Sequence, residues 1–108
     1  MTTMSLSLEA VAANLRAADF GDSLEACGFR VWTDEALGAV VEVVLILNHD
    51  DWDEASSESC ELARRVADAA LRDLNCFALP VCRTRAEHKG FEAREQGMWV
   101  PVELDGAC

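Results

Sequence analysis

Basic residues are scarce in this chain: nine Lys and Arg stand against twenty Asp and Glu, a net charge of −11. Direct binding to a nucleic-acid backbone needs clustered Lys and Arg, so it is not expected. No apolar run reaches the roughly 18–20 residues of a membrane span, and no membrane partner is expected. Met1-Thr2-Thr3-Met4-Ser5 has no basic region ahead of an apolar one. A signal peptide is therefore not expected, and the default compartment is an interior one. Low-complexity tracts are missing, which argues against disorder. The five cysteines include no C-x-x-C pair of the kind that zinc and redox sites use. Cys60 on an apolar helix face and Cys82 in a strand are expected as buried free thiols, and terminal Cys108 as exposed. Proline occurs twice, at Pro80 and Pro101.

What is present fits one domain over residues 1–108, half of it hydrophobic, with a single modest core. The clearest pattern is residues 39–75. Ala39-Val40-Val41-Glu42-Val43-Val44-Leu45-Ile46-Leu47 reads as a strand apolar on both faces except at Glu42, so it belongs at the centre of a sheet with cover on both sides. Glu42 either faces water near a strand end or pairs with an Arg such as Arg30 or Arg83. An acidic elbow follows, Asn48 to Glu54, in which Asp51 as cap and Glu54 three residues on form a capping box. Asp50, Asp51, Asp53 and Glu54 then sit at the positive end of a helix dipole. The helix runs from about Ala55 to Leu74. Cys60, Ala63, Val66, Ala67, Ala70, Leu71 and Leu74 form its apolar face, and Glu61–Arg65, Arg64–Asp68 and Asp68–Arg72 pair on its outer face. Asn75 suits a left-handed stop.

Before this unit, Leu8 to Ala18 forms an amphipathic helix capped by Ser7 or Ser5. Asp22-Ser23-Leu24-Glu25 reads as a capping box that starts one helical turn, or as a loop with the same hydrogen bonds. Phe29 to Thr33 is a strand, paired as a hairpin with the central one. After it, Phe77–Arg85 and Met98–Leu104 alternate as strands, and their prolines place them at edges or bulges. Ala86 to Gly97 is a long connection or one loose helical turn. The fold class is α+β, in the order α-β-β-α-β-β, with helices packed on a small, mainly antiparallel sheet. A long apolar central strand with imperfect edges suits completion in a homo-oligomer.

Three chemistries are weighed against these elements. His49, Asp50, Asp51 and Asp53 are residue types that ligate metals or exchange protons, but a capped helix start already accounts for the acids. Cys or Ser nucleophiles lack a local base signature. The stretch Pro80-Val81-Cys82-Arg83-Thr84-Arg85-Ala86-Glu87, within Val43–His88, resembles the later part of a minimal nucleotidyltransferase domain. That family's Gly-Ser turn and paired strand aspartates are missing, and Val41-Glu42-Val43-Val44 offers one carboxylate, so the resemblance implies a catalytically dead domain. No catalytic residue, metal or cofactor is expected.

The apolar strand 40–47, the helix with Leu62-Ala63-Arg64-Arg65-Val66-Ala67-Asp68-Ala69-Ala70-Leu71, and a final hairpin around Phe77–Arg85 and Met98–Leu104 resemble the tail-terminator, or tail-completion, proteins of long-tailed phages. The resemblance covers about two-thirds of the chain. It implies a non-enzymatic ring subunit, a hexamer, that caps the tail tube and meets the head connector, in the host cytoplasm or the virion. Thirteen acids and two bases fall in residues 1–61, while residues 62–108 balance at seven of each. An acidic surface suits a basic protein partner, a wall that repels nucleic acid, or plain solvation. The alternative class is a small acidic inhibitor of a basic host protein, of the anti-CRISPR or immunity kind. The candidate contact residues are Trp32, the elbow Asp50, Asp51, Trp52, Asp53 and Glu54, and His88 and Phe91 in the 86–97 segment.

Overall fold

The computed structural model describes residues 7–104. Ser5 as an alternative cap and the expected exposure of Cys108 lie outside the described residues. The chain forms α1 (Leu8–Ala17), β1 (Leu24–Asp34), β2 (Gly38–Leu47), α2 (Glu54–Leu71), β3 (Phe77–Arg83), α3 (Arg85–Glu92) and β4 (Val100–Val102). The sheet order is β3-β2-β1-β4. β1 pairs antiparallel with β2 and with β4, and β2 pairs parallel with β3. The α+β class and the mainly antiparallel sheet therefore hold, with one helix more than the expected order.

β2 lies between β1 and β3. Its Val41, Val43, Leu45 and Leu47 are buried on the inner face, and Val40, Val44 and Ile46 are nearly as buried on the outer face. The inner face packs with Phe29 of β1 against Val11 and Leu15 of α1 and Ala63, Ala67 and Leu71 of α2. Alanines at the contact let α2 lie close to the sheet. Each fully buried Leu or Val contributes roughly 1.5–3 kcal/mol of hydrophobic stabilisation.

The helix starts obey capping chemistry. Ser7 Oγ accepts from the Ala10 N–H at 3.2 Å. α2 is capped by Asp53, whose carboxylate accepts from the Ser56 N–H at 2.8 Å while the Ser56 hydroxyl oxygen accepts from the Asp53 N–H at 2.6 Å. The box is thus two residues later than Asp51–Glu54. At its other end α2 closes at Arg72, and Asn75 is not left-handed, since no described non-glycine residue has positive φ. Of the expected surface pairs, Glu61–Arg65 (2.8 Å) and Asp68–Arg72 (3.7 Å) form.

Four further expectations are corrected. Residues 22–25 do not start a helical turn: Ser23 closes a turn on the Phe20 carbonyl, and β1 is already under way at Leu24. Residues 85–92 form α3, opened by a capping box between Thr84 and Glu87. β3 and β4 are not a hairpin; they occupy opposite edges, because the connection through α3 crosses the outer face of the sheet. The edge positions that proline demands are kept. Finally, Cys60 and Cys82 are not free thiols. Cys60 on α2 faces Cys82 on β3 with Cα atoms 5.8 Å apart, and they form a disulfide. Cys27 remains a free thiol, and burial pushes its pKa up to about 12, so it is an inert core residue.

The disulfide closes a span of 22 residues across α2 and β3. In the chain-entropy account such a closure stabilises by about 3 kcal/mol. Replacing Cys60 and Cys82 together by Ser is expected to lower the unfolding free energy by about that amount, read from urea titrations with and without reductant. An unchanged midpoint on reduction would count against the pairing.

Candidate interaction surface

Register decides which side chains share the outer face. Arg30 on β1 stands opposite Glu42 on β2, and Trp32 stands opposite Val40. In the parallel pairing, Val40 aligns with Phe77, Glu42 with Leu79 and Ile46 with Arg83. Trp32, Arg30, Glu42, Phe77, Leu79 and Arg83 therefore project from the same side. Gly28 belongs to this face too, and a Cβ there would meet the Val100 carbonyl oxygen at 3.2 Å and Trp99 Cβ at 3.4 Å. A glycine lets β4 and Trp99 close over the sheet.

The charged groups on this face are paired and sandwiched by rings. Arg30 Nε lies 2.6 Å from Glu42 Oε1, which settles the role of Glu42. The Arg30 guanidinium is 5.1 Å from the centre of the Trp32 ring and 5.0 Å from that of Trp99. Arg83 makes a two-pronged ion pair with Glu95, at 2.5 and 2.9 Å. Its guanidinium lies 4.5 Å from the centre of the Phe91 ring and 5.7 Å from that of Trp99, and the Arg94 guanidinium is 5.3 Å from the centre of the Phe91 ring. Cations within about 6 Å of a ring centre are attracted by its quadrupole. The run Trp32, Arg30, Trp99, Arg83, Phe91, Arg94 thus forms a continuous ladder of alternating rings and guanidiniums. The Arg83 hydrogen bonds, helped by one from the Trp99 indole N–H, hold the Glu95 carboxyl down at about 2.

The acidic elbow has a different task. Arg85, the first residue of α3, donates to Glu25 (2.9 Å), to Asp50 (3.2 Å) and to the Asn48 side chain. Its guanidinium pKa is raised by Asp50 first and Glu25 next. The Arg85 N–H donates to the His49 carbonyl at 2.9 Å, and the Trp52 indole N–H donates to Glu87 at 2.7 Å. Asp53 is held below the usual carboxylate range, chiefly by the Ser56 N–H. His49 Nε2 is 3.1 Å from Ser59 Oγ. The elbow therefore clasps the start of α3, while Asp51 and Glu54 stay exposed.

The structure brings the elbow and α3 together, so Asp50 and Trp52 meet the helix that carries His88 and Phe91. Trp32 lies at the far end of the hairpin and joins them only through the ladder. Arg30, Arg83, Arg85 and Trp99 were not among the candidate contact residues, and Glu95 was covered only as part of the 86–97 segment. The sequence did carry one signal for them: Thr84-Arg85-Ala86-Glu87 is a capping-box spacing that places a helix start directly after β3.

The outer face is only partly covered. Trp32, Phe77, Leu79, Phe91 and Met98 remain 37–44% exposed on it or along its rim. Comparison with family models, with curated proteins and with solved structures returns no match.

The Arg83–Glu95 pair gives a pH signature. Glu95 titrates near its ordinary value when unfolded and at about 2 when folded. Its contribution is fully present above the ordinary value and is lost as pH falls toward 2. Glu95→Gln is expected to cost roughly 2 kcal/mol at pH 7, as for a charge-assisted hydrogen-bonded pair. In urea titrations, the gap between the variant and the parent should close as pH drops from about 4.5 toward about 2. A gap independent of pH would assign the loss to packing alone.

Proposed function

We propose that this chain is a non-enzymatic assembly subunit that associates with further copies of itself through the two edges of its sheet. One observation carries the reading: both outer strands are open and both present apolar side chains. Phe77 (44% exposed) and Leu79 (38%) stand on β3, and Val100 (40%) stands on β4 with Met98 (44%) just before it. An open edge offers unpaired backbone N–H and C=O groups to another strand. Two unlike edges at opposite ends of one sheet suit a head-to-tail contact, β3 of one copy against β4 of the next, and such contacts close into rings.

A ring is what the resemblance to phage tail terminators implies, so head–tail joining is the assembly we favour for this subunit. The absence of a β3–β4 hairpin departs from that pattern, and it makes β3 and β4 the two edge strands. The disulfide supports a particle as the working location, since disulfides persist in oxidising surroundings, virion surfaces among them. The inhibitor reading rests on acidity, and it is weakened by the use of Asp50 and Asp53 inside the fold.

Absolute mass by light scattering after size exclusion tests the reading. The parent chain is expected to form a closed oligomer. Leu79→Lys, which blocks β3, and Val100→Lys, which blocks β4, should each give monomers that retain the parent's circular dichroism. Mixed together they should form a dimer and nothing larger, because each variant keeps one working edge. A monomeric parent overturns the proposal, as does a mixture that stays monomeric.

A further inference from the structure

β1 has a neighbour on one side only over its second half. β2 runs beside it from Leu24 to Asp34, whereas β4 meets it only at Cys27, Gly28 and Phe29. β4 begins at Val100, and just before it the chain lies over the outer face, where the Trp99 ring rests on Arg30. Among the described residues, no strand pairs with residues 30–34 of β1 on the side away from β2. Alternate residues of such a stretch point their N–H and C=O groups outward, so it is a template for one more antiparallel strand.

Two devices that commonly protect an edge are missing here. Arg30-Val31-Trp32-Thr33-Asp34 has no proline, and the register shift of β1 lies at its other end, between Leu24 and Ala26. Val, Trp and Thr are strand formers. Arg30, Trp32 and Asp34 face the outer side, and Val31 and Thr33 the inner. Trp32 is 37% exposed, and Thr33 is exposed as well. Asp34 Oδ1 accepts from the Ala36 and Leu37 N–H groups at 2.8 and 3.0 Å, which fixes the carboxylate beside the turn. Among the described residues no cation pairs with it, and Glu35 next to it is exposed. The charge of Arg30, by contrast, is already met by Glu42.

We propose that residues 30–34 of β1 bind an extended, basic segment of another protein as an added antiparallel strand. Backbone hydrogen bonds supply the attachment, and the side chains along β1 select the sequence. An antiparallel partner sets one residue across from each of Asp34, Trp32 and Arg30 on the outer face. Lys or Arg suits the place across from Asp34, with Glu35 beside it. A β-branched aliphatic residue packs on the Trp32 ring. A neutral residue suits the place across from Arg30, whose charge has its partner. The charge balance decides the kind of partner. Residues 1–61 carry thirteen acids against two bases, so a second copy would set one acid-rich half against another, while a basic segment is complementary. The site uses neither β3 nor the outer edge of β4, so it does not rest on self-association.

The test uses the whole chain and a synthetic peptide with blocked ends, Lys-Thr-Ile-Val-Thr, written in the order that runs from Asp34 to Arg30. Calorimetry reads its affinity, and amide hydrogen exchange followed by NMR reads its place. Saturable binding is expected, with exchange slowed at alternate amides of residues 30–34 and unchanged along β3. Two further peptides carry N-methyl groups on alternate residues. One set of these amides faces β1 and the other faces solvent, so one methylated peptide should fail to bind and the other should bind. Asp34→Asn keeps the acceptor for the Ala36 and Leu37 N–H groups and removes the charge. It is expected to weaken the parent peptide roughly two- to fivefold at low salt, the worth of an exposed ion pair, and to flatten the salt dependence. Binding that does not saturate, slowed exchange confined to β3 or β4, or two methylated peptides that behave alike overturns the site. An affinity unchanged in Asp34→Asn overturns the preference for a basic segment.

Discussion

The structure depends on a strand that must be dry on both faces. β2 buries Val41, Val43, Leu45 and Leu47 inward and Val40, Val44 and Ile46 outward. At roughly 1.5–3 kcal/mol for each fully buried side chain, neither face can be left to water. The inner face finds an ordinary solution in two helices whose apolar stripes close over it. Among the described residues no apolar helix covers the outer face, because the chain between β3 and β4 is mostly polar. α3 contains no buried residue at all. A polar segment can be held over an apolar sheet only by contacts other than hydrophobic burial, and that is where the arginines enter. Arg83 and Arg85, on either side of Thr84, anchor the segment to Glu95 and to the elbow. Arg30 and Arg83 stack on the Trp99 ring that roofs the sheet. The ladder is a substitute for an apolar cover, and it covers incompletely: an open groove remains below α3 and a patch of exposed aromatic and aliphatic side chains beside it.

The same constraint explains what could be read from the sequence. The two-sided apolarity of residues 39–47 predicts a central strand covered twice, and the alternation around Pro80 and Pro101 predicts edge strands; both follow from local rules and both hold. The missing pieces are products of pairing at a distance. Whether β3 returns parallel or antiparallel, and so whether it neighbours β4, depends on where α2 delivers the chain, which no local pattern states. Cys60 and Cys82 read singly as small hydrophobes, and only the packing of α2 on β3 sets them face to face. α3 is a case of another kind. Its composition is that of a loop, mostly polar with Gly90 inside it, and only the Thr84–Glu87 spacing betrays a helix. Of the candidate contact residues, Phe91 and Trp32 belong to the ladder that organises the outer face. The elbow acids were chosen for their charge, and half of that charge turns out to be committed to the fold.

That commitment bears on how a chain with a net charge of −11 can associate with itself. Two copies repel, but the repulsion is not uniform over the surface. Residues 1–61 carry the whole excess, while both edge strands and their flanks fall in residues 62–108, where acids and bases balance. Beside β3, Glu61, Arg64, Arg65 and Asp68 present both signs next to the apolar Phe77 and Leu79. At physiological salt, charges more than about 8 Å apart are largely screened. An approach along the sheet edges brings together the balanced half of the chain, whereas an approach elbow to elbow brings together the acidic half. The charge asymmetry and the open edges both favour the proposed geometry, in which copies would meet through β3 and β4.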